Sequence, residues 1–157
     1  LNPCTADYSK VVSDAESIDA TPESRATHFG AGGESPEHRA PKEYVAGHPE
    51  IVGLLSTSAP GECEQRLGSG DVLDVFFRAG HDHIAVEIKS KISNDADIVR
   101  GMFQCVKYRA VLEAQQAARE LPQSARAILV LGMTLPEGLK GIKNLLGVEL
   151  IEDVSPR

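Results

Sequence analysis

"SGDVLDVFFRAGHDHIAVEIKSKIS", residues 69–93, decides how this chain folds. Its halves, "DVLDVFF" and "HIAVEIKSKI", have the β-branched and aromatic composition of strands, and the short polar "RAGHDH" between them reads as a hairpin connection. Yet Asp74, Glu87 and Lys89 stand inside those strands, where a small domain builds its core. Residues two apart on a strand share a face, so Glu87 and Lys89 project together while Val86 and Ile88 face the other way. Antiparallel pairing through the hairpin brings Asp74 across from them.

Two carboxylates and an ammonium at one spot are costly to desolvate without a compensating ion. A hard divalent cation such as Mg²⁺, which takes one or two carboxylates and several waters, resolves that cost. The Ile88 carbonyl is a candidate further ligand. The neighbouring Lys89 can orient a water or offset charge developing on a phosphate. The plainer reading is a half-exposed strand with alternating solvated charges, which an isolated Glu-x-Lys would favour.

Working outward, "DADIVRGMFQCVKYRAVLEAQQAARE" reads as a long helix that starts at the capping residues Asn94 or Asp95 and ends before Pro122. "ARAILVLGM" is the continuous apolar run of a buried strand. "LPEGLKGIKNLLG" supplies a last helix near Pro136, and "VELIEDV" a final short strand. Upstream, "GECEQRLGSG" reads as a strand end and loop, and "IVGLLSTSA" as a strand or irregular apolar segment. "SPEHRAPKEYVAGHPE" predicts a helix of about three turns, with Ser35 at the N-cap, Pro36 at the first helical position and Gly47 at its close. At 100° per residue its apolar face is Ala40, Pro41, Tyr44 and Val45, with Glu37 near the centre, and Pro41 should kink it. The resulting fold class is α/β (α+β), a central mixed sheet flanked by helices.

Residues 1–33 are rich in Ser, Thr, Ala, Asp and Gly, with little sustained apolar periodicity. They read as a flexible leader or linker, with "YSKVV" as a short edge strand at most, and residues 34–157 as the folded domain. A first residue of Leu rather than Met suggests a piece of a longer protein, with a candidate upstream domain, or a processed chain. No run approaches the roughly 20 apolar residues of a membrane span, and no secretory signal is recognisable, so a cytoplasmic protein is expected. Cys4, Cys63 and Cys105 are odd in number and widely spaced, which predicts reduced thiols.

The formal charge is −7, with nine acids against four bases in residues 1–50 and fourteen against twelve thereafter. That balance argues against a broad basic surface for nonspecific duplex binding, without excluding nucleic acid. "HDH", His81 and His83, is at most half a zinc site, since no further ligands follow at recognisable spacing. "GAGGESPEH" lacks the Lys-Ser/Thr of a phosphate loop, and no G-x-S-x-G nucleophile elbow occurs.

The set Glu37, "GDVLDVFF" with Asp74, "IAVEIKSK" with Glu87-Ile88-Lys89, and "QCVKY" on the following helix resembles the PD-(D/E)XK nuclease superfamily, over about residues 34–133. The resemblance implies a restriction-endonuclease-like αβββαβ core and a Mg²⁺- or Mn²⁺-dependent nuclease acting on nucleic acid, expected to be DNA. It implies Asp74 and Glu87 as metal ligands, with Glu37 and the Ile88 carbonyl assisting, and Lys89 acting on the attacking water. Gln104 and Tyr108, with Arg100 a turn earlier, match a pattern beside the active site of exonuclease-type members and are expected to position substrate. Asp71 is expected at the strand mouth in a secondary role. A homodimer is a further expectation from the resemblance. The competing expectation is a weak or inactive module of the same fold that binds nucleic acid or a protein partner.

Overall fold

Ten short elements follow one another in the computed structural model, which describes residues 36–156, with side chains from His38 onward. The predicted leader, the Ser35 cap, Cys4 and the side chain of Glu37 lie outside the described residues. Helix α1 (Pro36–Gly47) leads through a 3₁₀ turn (Pro49–Val52) to strands β1 (Glu62–Arg66), β2 (Val72–Ala79) and β3 (Asp82–Lys89). Helix α2 (Asp95–Ala118) and strand β4 (Ala125–Leu131) come next. A 3₁₀ turn (Glu137–Leu139), helix α3 (Lys140–Leu146) and strand β5 (Glu149–Ile151) complete the order. The α–β–β–β–α–β succession expected from the sequence is present.

The sheet runs β1-β2-β3-β4-β5, antiparallel over its first three strands and parallel from β3 onward. Parallel neighbours need a long crossover, and the 24-residue α2 supplies it between β3 and β4. Asn94 caps α2 by accepting from the Asp97 N–H at 3.0 Å, and Asp95 and Asp97 complement its N-terminal dipole. Gly80, at φ +63°, takes the left-handed conformation that the two-residue loop between β2 and β3 demands.

Both faces of the sheet are covered. Ala85, Ala127 and Leu129 join Ile98, Met102, Cys105 and Leu112 of α2 in one core, while Ile84, Val86, Ile128 and Val130 join Val45 and Ala46 of α1 in the other. That two-sided burial is why "AILVL" carries no polar alternation.

Of the two readings of "IVGLLSTSA", the irregular apolar segment is the one present: Pro49 opens a 3₁₀ turn that Gly53, at φ +82°, ends, and Ile51 and Leu54 pack half-buried against the α1-side core. The inner face of α1 is turned from the one expected. Ala40 is exposed, Val45 and Ala46 are buried, and Pro41, Lys42 and Tyr44 are half-buried. The Gly61 N–H donates to the Ala46 carbonyl at 2.8 Å, which ties the C-terminal end of α1 to the chain entering β1. The helix runs as one element through Pro41, which lies in its second turn and forfeits a single backbone bond.

Candidate functional site

The sheet forks where the charges stand. β2 and β3 pair from Ala79↔Asp82 as far as Val75↔Val86, and one further step would set Asp74 opposite Glu87. Beyond that point β2 continues only with β1, to Arg66↔Val72, and β3 only with β4, to Lys89↔Leu131. Glu64, the β1 residue facing Asp74, is itself unpaired in the ladder and sits at φ +55°, a strained conformation for a side-chain-bearing residue.

Asp74 substitutes for the lost strand partner. Its Oδ2 accepts the Ile88 N–H at 2.8 Å, and its Oδ1 lies 3.1 Å from the Lys42 Nζ of α1. The same ammonium is 3.5 Å from Glu64 Oε1. Asp74 is thereby held from both sides of the fork.

Glu87 is 4 % exposed and turns toward α2. Lys89 Nζ donates to its Oε1 at 2.8 Å, and the Tyr108 hydroxyl is close enough to favour the ionised carboxylate. Burial first, then the charge of Asp74, pushes the Glu87 carboxyl up to about 7, against the partial opposition of Lys89 and Tyr108. Close approach of α2 is possible because residue 101 is Gly. A Cβ there would stand 2.9 Å from Lys89 Cε, 3.0 Å from Leu129 Cδ1 and 3.5 Å from Glu87 Cγ.

Gln104 Nε2 donates to the Tyr108 hydroxyl at 3.1 Å, and that hydroxyl lies 3.4 Å from the Val72 carbonyl. Burial and the charges of Glu87 and Asp74 raise the Tyr108 pKa, so the phenol stays protonated and able to donate. Gln104 Oε1 is buried without a hydrogen-bond partner among the described residues.

Asp74, Glu87 and Lys89 line a polar cavity of about 170 Å³ together with His38, Pro41, Lys42, Ile88 and Ser90. A larger, mainly apolar cavity of about 360 Å³ adjoins it, sharing Pro41, Ile88, Lys89 and Ser90 and reaching Ile92 and Val154. The Ser90 hydroxyl is buried at this junction and has no partner among the described residues.

Among the described residues no group of three or more His, Cys, Asp or Glu side chains converges to hold a metal. The zinc alternative fails accordingly: His83 is buried with its ring edge-on to Phe76, and His81 belongs to the hairpin turn. Two mutually repelling carboxylates on a polar cavity fit a hard cation that takes few protein oxygens and keeps waters, as Mg²⁺ does.

Of the residues singled out from the sequence, Asp74, Glu87, Ile88, Lys89, Gln104 and Tyr108 are brought together. Arg100 is not: it is exposed and pairs with Asp97 at 3.3 Å. Asp71 precedes β2, where it accepts from Ser69 at 2.6 Å and pairs with Lys107 at 2.7 Å. Lys42, Gly101 and Ser90 escaped the sequence reading. A glycine inside a long helix is a signal of close approach that could have located Gly101. Lys42 carried no such mark, because its position depends on how α1 turns against the sheet.

Compared with known proteins, the chain matches no protein-family profile, no curated protein and no solved structure.

Proposed function

We propose that this protein is a metal-dependent nuclease that hydrolyses phosphodiester bonds of nucleic acid, with DNA as the expected substrate. The observation that carries the reading is the meeting of Asp74 and Glu87, from two strands that part at that point, on one polar cavity with Lys89 bonded to Glu87. The PD-(D/E)XK resemblance of "GDVLDVFF" and "IAVEIKSK" points the same way.

Asp74, Glu87 and the Ile88 carbonyl would hold Mg²⁺ or Mn²⁺, with Glu37 as an assisting ligand. Bound there, the cation supplies charge neutralisation at the phosphoryl oxygens. Lys89, restrained by Glu87, orients the attacking water and faces the charge that builds on the phosphate. The water oxygen bonds to phosphorus in line with the bond that breaks. The water gives up a proton to solvent as the P–O3′ bond breaks, the departing 3′ oxygen takes one up, and the product carries a 5′-phosphate. Tyr108 favours the ionised Glu87 from α2, with Gln104 bonded to its hydroxyl, and the adjoining 360 Å³ cavity offers room for the part of the substrate flanking the reacting phosphate.

A second reading has an observation of its own. Each carboxylate already has an ammonium partner, Asp74 with Lys42 and Glu87 with Lys89, as in a weak or inactive module that binds nucleic acid or a protein partner. Labelled linear, circular and single-stranded DNA incubated with Mg²⁺ or Mn²⁺ separates the two. Cutting by the wild type that Glu87→Ala and Lys89→Ala both abolish supports the nuclease. Absence of cutting with equal nucleic-acid binding by all three proteins supports the module.

A further inference from the structure

The cavity is approached by two ammonium groups from opposite faces of the sheet. Lys89 extends on the α2 side and meets Glu87 at 2.8 Å, while Lys42 extends from α1 and meets Asp74 at 3.1 Å. Lys42 is only 15 % exposed at its side chain, and its Nζ also lies 3.5 Å from Glu64 Oε1. It is therefore a built part of the site rather than a surface group that happens to reach it. Among the described residues two carboxylates and two ammoniums form the charged set of the cavity, with the Glu64 carboxylate beside Lys42 as well. A divalent cation added to it would stand close to Lys42 as well as Asp74, and like charges at such separations repel strongly where solvent is limited.

We propose that Lys42 is an internal counter-cation of this site, which neutralises Asp74 until a divalent cation displaces it and then holds a non-bridging oxygen of the substrate phosphate. The proposal rests on the nuclease reading and adds a residue that the resemblance did not supply. Its physical basis is exchange of partners by a flexible side chain. The Lys stem has four rotatable carbons, the ammonium already lines the cavity, and moving it a short way exchanges one anionic oxygen for another. A metal-loaded site carries surplus positive charge that a phosphodiester then satisfies. Lys42 thus couples metal uptake to substrate uptake, each favouring the other.

An alternative role for Lys42, as a strut that merely fixes the Asp74 carboxylate, predicts the opposite sign. Calorimetric titration of Mn²⁺ into wild type, Lys42→Met and Lys42→Arg distinguishes them, with thermal unfolding of each as a check on folding. Mn²⁺ binding to Lys42→Met about tenfold tighter than to wild type, with Lys42→Arg close to wild type, is the expected result. Binding of a labelled single-stranded oligonucleotide, measured with Ca²⁺ replacing Mg²⁺ and over a range of salt, should weaken in Lys42→Met. Its slope against log salt should fall by about one. Unchanged or weaker Mn²⁺ binding by Lys42→Met, in a wild type that binds Mn²⁺ and cuts DNA, overturns the role of Lys42 and leaves the nuclease standing. No Mn²⁺ binding by any of the three proteins overturns both.

Discussion

The carboxylate of Asp74 accepts the backbone N–H of Ile88 at 2.8 Å, across the point where their two strands cease to pair. A ladder bond has been exchanged for a side-chain bond, and the exchange both ends the pairing and aims the carboxylate. Charge-assisted bonds of this kind are shorter and stronger than those between neutral groups. Asp74 is thus structural and chemical at once, and its substitutions should separate the two roles.

Asp74→Ala orphans the Ile88 N–H and removes one partner of Lys42, so it should destabilise the fold by about 1–3 kcal/mol. Asp74→Asn keeps an oxygen that can accept the N–H and should recover much of that loss in urea unfolding. Both should lose metal-dependent cleavage. A stable Asp74→Asn protein that still cuts DNA at the wild-type rate would remove Asp74 from the chemistry.

Glu87 gives stability a distinctive pH dependence. Its carboxyl is raised from 4.5 to about 7, so between those values the folded chain binds a proton that the unfolded chain has released. Stability attributable to this group is complete below about pH 4.5 and is lost as pH rises toward 7, by up to roughly 3 kcal/mol. In EDTA, Glu87→Gln should flatten this part of the profile relative to wild type. Mg²⁺ should stabilise wild type more at pH 8 than at pH 5, because it favours the ionised carboxylate. Thermal or urea unfolding across that range tests both, and identical profiles for wild type and Glu87→Gln would contradict the raised carboxyl.

Gly101→Ala tests whether α2 governs the geometry of the site. Ala is the better helix former by about 1 kcal/mol, so a substitution with space available should stabilise. Here the new Cβ would sit 2.9 Å from Lys89 Cε and 3.0 Å from Leu129 Cδ1, and the flexible lysine is the group that yields. The expected outcome is little or no gain in Tm, with cleavage slowed about 10- to 100-fold through displacement of Lys89 from Glu87. A Tm raised by several degrees at full activity would show that the contact is relieved elsewhere.

The strand hairpin, the α2 cap at Asn94 and the buried β4 were legible because each rests on local chemistry: alternation or runs of apolar residues, a turn residue, an accepting side chain. The same alternation put Glu87 and Lys89 on one face. Where α1 was concerned, periodicity alone misjudged the inner face by admitting Ala40 and passing over Lys42. An apolar residue on a helix is not obliged to be inside, and a lysine can bury its stem while its ammonium finds a carboxylate.

By itself, then, the sequence determined the elements, their order and the strand face that carries the Glu-x-Lys pair, since these follow from residue periodicity and backbone chemistry. Only the tertiary structure decided the fork between β2 and β3, the Asp74–Ile88 bond that replaces a ladder bond, the approach of α2 over Gly101 and the arrival of Lys42 from the opposite face. Those relations join residues far apart in the chain. They are set by how helices settle on the two sides of a sheet, which no local pattern of residues encodes.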